Sequence, residues 1–276
     1  MSQLDDSVCG LAATGDLAGL AARLQTEPDL ATRRNASGET LLHIAVRQWP
    51  KLANGADVAR LLLGAGMDVN AFDDDGQSPL HGATGDLELT RVLLEAGARG
   101  DVYAVDHLNM SPAEICLYYG LPAEAQLIVD HGAPTDLRIH AGLGDADAVR
   151  SHLDEAGGFR ANCIGLPGQP GPTLSVEDGV AQACSYAARN GQIEAADVLL
   201  DHGADINALA PQLDVGCTPV HAAVSGGHPL MVEHLVKRGA RLDILDDTHK
   251  STARGWAEFK GDDTMAAFLR AHEGDV

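Results

Sequence analysis

The chain has 276 residues, with 19 basic against 40 acidic side chains and a formal net charge of −21. That balance opposes binding to nucleic acid or to an anionic membrane, both of which select basic surfaces. Aromatic residues make up only 4% of the chain, which suits thin helix pairs packed through Ala, Leu and Gly better than one large core. No run approaches the roughly 18 apolar residues of a membrane span. The acidic start, Met1 to Asp6, has no apolar stretch behind it, so a cytoplasmic protein is expected. Cys9, Cys116, Cys163, Cys184 and Cys217 are scattered without a Cys-x-x-Cys pair, as reduced thiols would be.

Taken in order, the chain repeats one pattern. A segment at 5–34 carries Ala12-Ala13 and the Leu20 to Leu24 stretch, and reads as an N-terminal cap. The next unit, 35–72, opens on Thr40-Leu41-Leu42-His43-Ile44-Ala45 and runs through Leu61-Leu62-Leu63 to Gly66, with extra residues from Gln48 to Gly55 between its two helices. Unit 73–104 repeats this as Ser78-Pro79-Leu80-His81, Val92-Leu93-Leu94 and Gly97-Ala98, with its first helix cut short at Gly82-Ala83-Thr84-Gly85. Unit 105–134 follows, and unit 135–158 then starts directly behind Gly132-Ala133, without room for a hairpin.

An insertion at 159–180 comes next, with Gly165-Leu166-Pro167-Gly168-Gln169-Pro170-Gly171-Pro172 at its middle, a composition that cannot continue a helix. Unit 181–212 precedes the clearest copy, 213–245, with Thr218-Pro219-Val220-His221-Ala222-Ala223 and Gly239-Ala240; 246–276 reads as a C-terminal cap. The signature has physical reasons. Thr or Ser caps a first helix, and Pro sits where an N–H has no helical partner. Paired small residues allow close helix approach, a Val-x-x-Leu-Leu stripe faces the core, and Gly ends the second helix.

A period of about 33 residues marks stacked units without a central core. The signature at Thr40, Ser78 and Thr218 resembles that of ankyrin-repeat proteins, and the resemblance covers almost the whole chain. It implies an all-α repeat solenoid of helix-turn-helix units with β-hairpin-like loops, one hairpin missing and one long insertion. It also implies a single domain, 1–276, of about eight units. The compressed unit, the insertion and Gly255-Trp256-Ala257-Glu258 resemble one group of bacterial ankyrin-repeat proteins, which lends no common activity.

The chemistry-bearing residues have bland explanations. His43, His81 and His221 hold the signature position whose imidazole bonds loop backbone; Glu114, Ser185 and Gly255 replace it in other units. No His or Cys spacing fits a metal, Asp73-Asp74-Asp75-Gly76 fails the calcium-loop pattern, and no nucleophile or phosphate-loop motif occurs, so no cofactor is expected. Cys184-Ser185 is placed at a helix start, and Cys163 is placed at an exposed position of the insertion.

What remains is a binding surface, the concave face formed by hairpin tips and first-helix ends. Its candidate residues are Arg47, Asp74, Gln77, His107, Met110, Tyr118, Tyr119, His140, Arg189, Cys217 and Ser225. The expectation is a non-enzymatic module that binds a partner protein or peptide through this groove. The notch lies near Tyr118, His140 and Arg189, and the acidic surface favours a partner with basic patches. The alternative is a small-molecule enzyme or ligand-binding protein with a pocket at the irregular fourth to sixth units, where His107, Glu114, His140 and Tyr118 could serve as acid–base groups.

Overall fold

Short polar side chains start most of the helices. Asp5, Asp16, Asp86, Asp136, Asp145, Ser175, Thr252 and Asp262 each accept a hydrogen bond from a backbone N–H in the first turn of the helix they precede. The computed structural model describes residues 3–48, 50–104, 109–169, 174–211 and 216–273. Among them the fold is all-α, with a 3-10 turn at Pro28–Ala31 and two isolated bridges in place of strands.

The chain forms two compact units. The first holds Met1–Cys116, Ala123–Pro134 and Gly168–Pro170. Its helix pairs are α1 (Asp6–Thr14) with α2 (Leu17–Thr26), α3 (Leu41–Val46) with α4 (Gly55–Gly64), and α5 (Pro79–Gly82) with α6 (Leu87–Glu95). The first helices α1, α3 and α5 pack in one row, and the second helices α2, α4 and α6 in another. Leu20, Leu41, Leu42, Leu62, Leu80, Leu89 and Leu93 fill the space between them. Helix α7 (Pro112–Tyr118) and helix α8 (Pro122–Asp130) follow.

The second unit holds Leu117–Pro122, Thr135–Pro167 and Gly171–Val276. Its pairs are α9 (Leu137–Leu143) with α10 (Ala146–Ser151), α11 (Val176–Arg189) with α12 (Ile193–Asp201), α13 (Pro219–Gly226) with α14 (Pro229–Lys237), and α15 (Ala253–Phe259) with α16 (Asp263–His272). Helices α9, α11, α13 and α15 make one row. A Cβ on Gly226 would fall 2.0 Å from the carbonyl oxygen of Arg189, so only glycine lets the end of α13 approach α11 this closely.

Two signature histidines, His43 and His221, tie their caps to the following loop. The N–H of Thr40 donates to His43 Nδ1 at 3.2 Å, and His43 Nε2 donates to the carbonyl of Gln77 at 3.1 Å. In the same way Thr218 Oγ1 meets His221 Nδ1 at 2.8 Å, and His221 Nε2 donates to the carbonyl of Ser251 at 3.1 Å. Glu114, which is buried, solves the problem differently. Its Oε2 accepts the N–H of Ser111 at 2.8 Å, and Gln169 of the insertion donates its side-chain amide to both carboxylate oxygens at 3.2 and 3.1 Å. The same amide bonds the carbonyl of Asn109 at 3.0 Å. A loop carbonyl needs a donor; the Gln169 amide needs an acceptor.

The gap between α8 and α9 is short, from Asp130 to Leu137, whereas the gap between α6 and α7 runs from Glu95 to Pro112. The insertion occupies the other side of α9: Leu137 N–H donates to the carbonyl of Cys163 at 3.0 Å, and Gly165 N–H to Asp136 Oδ2 at 3.0 Å. Asp136 also takes Arg138 Nε at 2.8 Å, Arg138 reaches Gln182 Oε1 at 3.2 Å, and Gln182 donates to the carbonyl of Pro211 at 2.6 Å. All three side chains are buried.

Several expectations are corrected here. Residues 176–180 belong to α11, because Ser175 caps the helix ahead of the signature, so Cys184 and Ser185 lie inside it rather than at its start. Cys163 is buried, not exposed. Behind α10 a turn is organised by Asp154, whose Oδ1 takes the N–H of Ala156 and Gly158. His140 Nδ1 lies 2.9 Å from His152 Nε2, a pair formed across α9 and the end of α10.

Two measurements follow from this packing. Replacing Arg138 by Ala leaves Asp136 and Gln182 buried without their partner, and should lower unfolding stability by about 3 kcal/mol in denaturant titration. Arg60→Ala, which loses exposed pairs to Asp57 and Glu88, should cost less than about 1 kcal/mol. Burial also lowers the pKa of His43, His140, His152 and His221 below the ordinary 6.5. The unfolded chain therefore takes up protons first, and stability should be full above pH 6.5 and fall as pH drops through that value. A flat unfolding midpoint between pH 7.5 and roughly 5.5 would contradict it.

Candidate binding cleft of the second unit

Helices α7, α11, α13 and α15 end in side chains that meet within the second unit, to which the last residues of α7, Leu117 and Tyr118, belong. Tyr118 is the last residue of α7, Arg189 the last of α11 and Phe259 the last of α15, with Ser225 one residue from the end of α13. Together with Trp256 and Lys260 they line a cleft of about 660 Å³. His249, Ser251 and Gly255 complete it. Gly255 stands where other units carry the signature imidazole, and a Cβ there would fall 2.1 Å from Ser251 Oγ, so Ser251 takes that space.

Helix C-termini leave carbonyls without intrahelical donors, and here basic side chains take them. Arg189 donates to the carbonyl of Tyr118 at 3.0 Å and to Ser225 Oγ at 3.4 Å, and its guanidinium lies 4.8 Å from the Tyr118 ring centroid. Lys260 Nζ donates to the carbonyl of Ser225 and, at 3.4 Å, to that of Val224. A Cβ on Gly142 would sit 2.8 Å from Leu117 Cδ1, so glycine lets α9 pack closely against the residue next to Tyr118.

The aromatic lining is set from beneath. Trp256 Nε1 donates to Asp246 Oδ2 at 3.0 Å, and its ring packs edge-on to His221 at 5.2 Å. Burial would raise the Asp246 pKa. The bonds it receives from Trp256 and from the N–H groups of His249, Ser251 and Thr248 outweigh that and hold it below the ordinary carboxylate range. Phe259 is 93% exposed, and Tyr119, stacked edge-on to Tyr118 at 5.1 Å, is 66% exposed.

Of the residues expected on the binding face, Tyr118, Arg189 and Ser225 come together in this cleft, and Tyr119 borders it through Tyr118. His140 is turned to His152 and does not line it. Cys217 is fully buried, not at a hairpin tip; burial pushes its thiol up to about 11, against the lowering effect of Arg189 nearby. Met110 is also buried, because its hairpin position packs inward. Arg47 and Gln77 belong to a network of the first unit. Arg47 pairs with Glu39 at 2.6 Å and with Asp73, and donates to Gln77 Oε1 at 2.8 Å. Asp74 is exposed in that unit, and His107 lies outside the described residues. Lys260, Ser251 and the cleft-facing role of Trp256 were not anticipated.

The profile of the family described as ankyrin repeats (3 copies) matches residues 11–106 and 184–276. Mouse Rabankyrin-5 is 27% identical over 230 residues, 78% of this chain and 19% of that protein. Human transient receptor potential cation channel subfamily A member 1 is 26% identical over 247 residues, 84% of this chain and 20% of the channel. Mouse B-cell lymphoma 3 protein homolog is 27% identical over 248 residues, 83% of this chain and 50% of that protein. The chain thus spans about a fifth of the first two relatives. The crystal structure of the human ASB11 ankyrin repeat domain aligns over 98% of this chain and 99% of that one, at 19% identity and a TM-score of 0.49.

Proposed function

The chain belongs to the ankyrin-repeat family, and on that premise we propose that it is a protein-interaction module that takes a partner protein or peptide in the cleft of its second unit. The observation that supports this reading most is the convergence of Tyr118, Arg189, Trp256 and Phe259 on one concave surface. Tyr, Trp and Arg are the side chains most often found to carry binding energy at interfaces. Arg189 and Trp256 are already fixed by hydrogen bonds, so little of their freedom is lost on binding. No helix among the described residues is long and apolar enough to cross a membrane.

A photo-crosslinking amino acid at position 259 should capture a partner in the native cell, whereas the same group at Leu230, 72% exposed on α14, should not. Equal capture at both positions would remove the cleft from the interface. With the captured partner purified, Tyr118→Ala should weaken its binding about tenfold or more in calorimetry.

A further inference from the structure

We infer that the cleft selects an acidic peptide segment, one that carries an apolar or aromatic side chain flanked by carboxylates. The inference rests on the interaction reading above and adds the chemistry of the partner. It starts from charge. The chain has 40 acidic and 19 basic residues, yet the described lining of the cleft contains Arg189 and Lys260 and no Asp or Glu.

Most other arginines of the second unit are joined to carboxylates, the exposed Arg160 being an exception. Arg138 pairs with Asp136, Arg150 with Asp147 and Glu194, Arg238 with Asp197 and Asp201, and Arg254 with Glu258 and Glu273. Arg189 and Lys260 are bound instead to the carbonyls of Tyr118, Val224 and Ser225. Carbonyls fix the direction of a cation without neutralising it, so each keeps its full charge for an anion that approaches from the cleft.

The nearby acids do not cancel this. Asp246 lies fully buried beneath Trp256, with its oxygens bonded to the indole and to the N–H groups of Thr248, His249 and Ser251. Glu258 is held by Arg254 and Arg270 on the outer side of α15. The apolar half of the recognition comes from Tyr118, Trp256 and the exposed ring of Phe259. A side chain of Phe or Leu size fits a cleft of about 660 Å³ with its neighbouring carboxylates at the two cations.

The test uses the full chain with Trp49→Phe, which leaves Trp256 in the cleft as the one indole of the two in the sequence. Its fluorescence is titrated with three capped peptides, each with a central phenylalanine. The flanking side chains are carboxylates in the first, their amide isosteres in the second and lysines in the third. The acidic peptide should bind at least about tenfold more tightly than the amide peptide, and the lysine peptide more weakly than either. Arg189→Gln with Lys260→Gln should bring the acidic peptide down to the amide peptide's affinity. Lys260→Glu should abolish acidic binding by itself while the unfolding midpoint shows that losing its bonds to the Val224 and Ser225 carbonyls leaves the chain folded.

Equal or tighter binding of the lysine peptide, or an acidic affinity that ignores Lys260→Glu, overturns the inference. If those peptides still lose affinity in Tyr118→Ala, the interaction reading stands without its acidic specificity. If none of the three peptides alters the Trp256 signal or binds by calorimetry, both fall.

Discussion

Helices α3, α5 and α13 are short and start at buried caps, Thr40, Ser78 and Thr218, so each cap and the loop beside it must satisfy one another. The side chain at the fourth signature position does both tasks. In His43 and His221 one ring nitrogen serves the cap, and the other donates to a carbonyl some thirty residues on. A buried backbone carbonyl without a donor costs about 1–3 kcal/mol, comparable to a large part of what one helix pair gains from burial. Burial keeps these imidazoles neutral, and the neutral ring is the form with one donor and one acceptor. In the repeat of α7 and α8, only a short stretch separates Asp130 from Leu137 of the next helix. Glu114 then replaces the imidazole, and the insertion sends Gln169 to complete the circuit.

That exchange explains how much of the fold could be read in the sequence. Thr40, Ser78 and Thr218 announce helix starts because capping and the Pro that follows are local chemistry. The all-α repeat fold follows from them, and the gap between α8 and α9 was visible as a missing stretch of sequence. Long-range compensation was not visible. Nothing near Gln169 marks it as the partner of Glu114, and nothing near Ser175 shows that α11 would start ahead of its signature. The buried line of Asp136, Arg138 and Gln182 was equally hidden, because each side chain in it belongs to a type usually found on the surface.

The cleft was half legible for the same reason. Residue type and register placed Tyr118, Arg189 and Ser225 at first-helix ends, where the cleft is built. They also placed Met110 and Cys217 at hairpin positions, without showing that these positions pack inward. Trp256 packs His221 and lines the cleft at once, since an indole has two faces and one polar edge. Lys260 went unnoticed because its partners are the carbonyls of Val224 and Ser225, which carry no side-chain signal.

The strongly acidic chain and its basic cleft are compatible once distance is considered. At physiological ionic strength an exposed charge is felt over about 8 Å. Carboxylates beyond that range contribute little to the potential at Arg189 and Lys260. The closer carboxylates act less than their number suggests, since Asp246 is covered by donors and Glu258 by two arginines. Arg189 is half-buried against the Tyr118 ring, so water screens it less from an anion in the proposed complex than it screens the exposed Lys260. On the proposed reading, the selection of a segment therefore rests on the two cations at the ends of α11 and α15 rather than on the net charge of the chain.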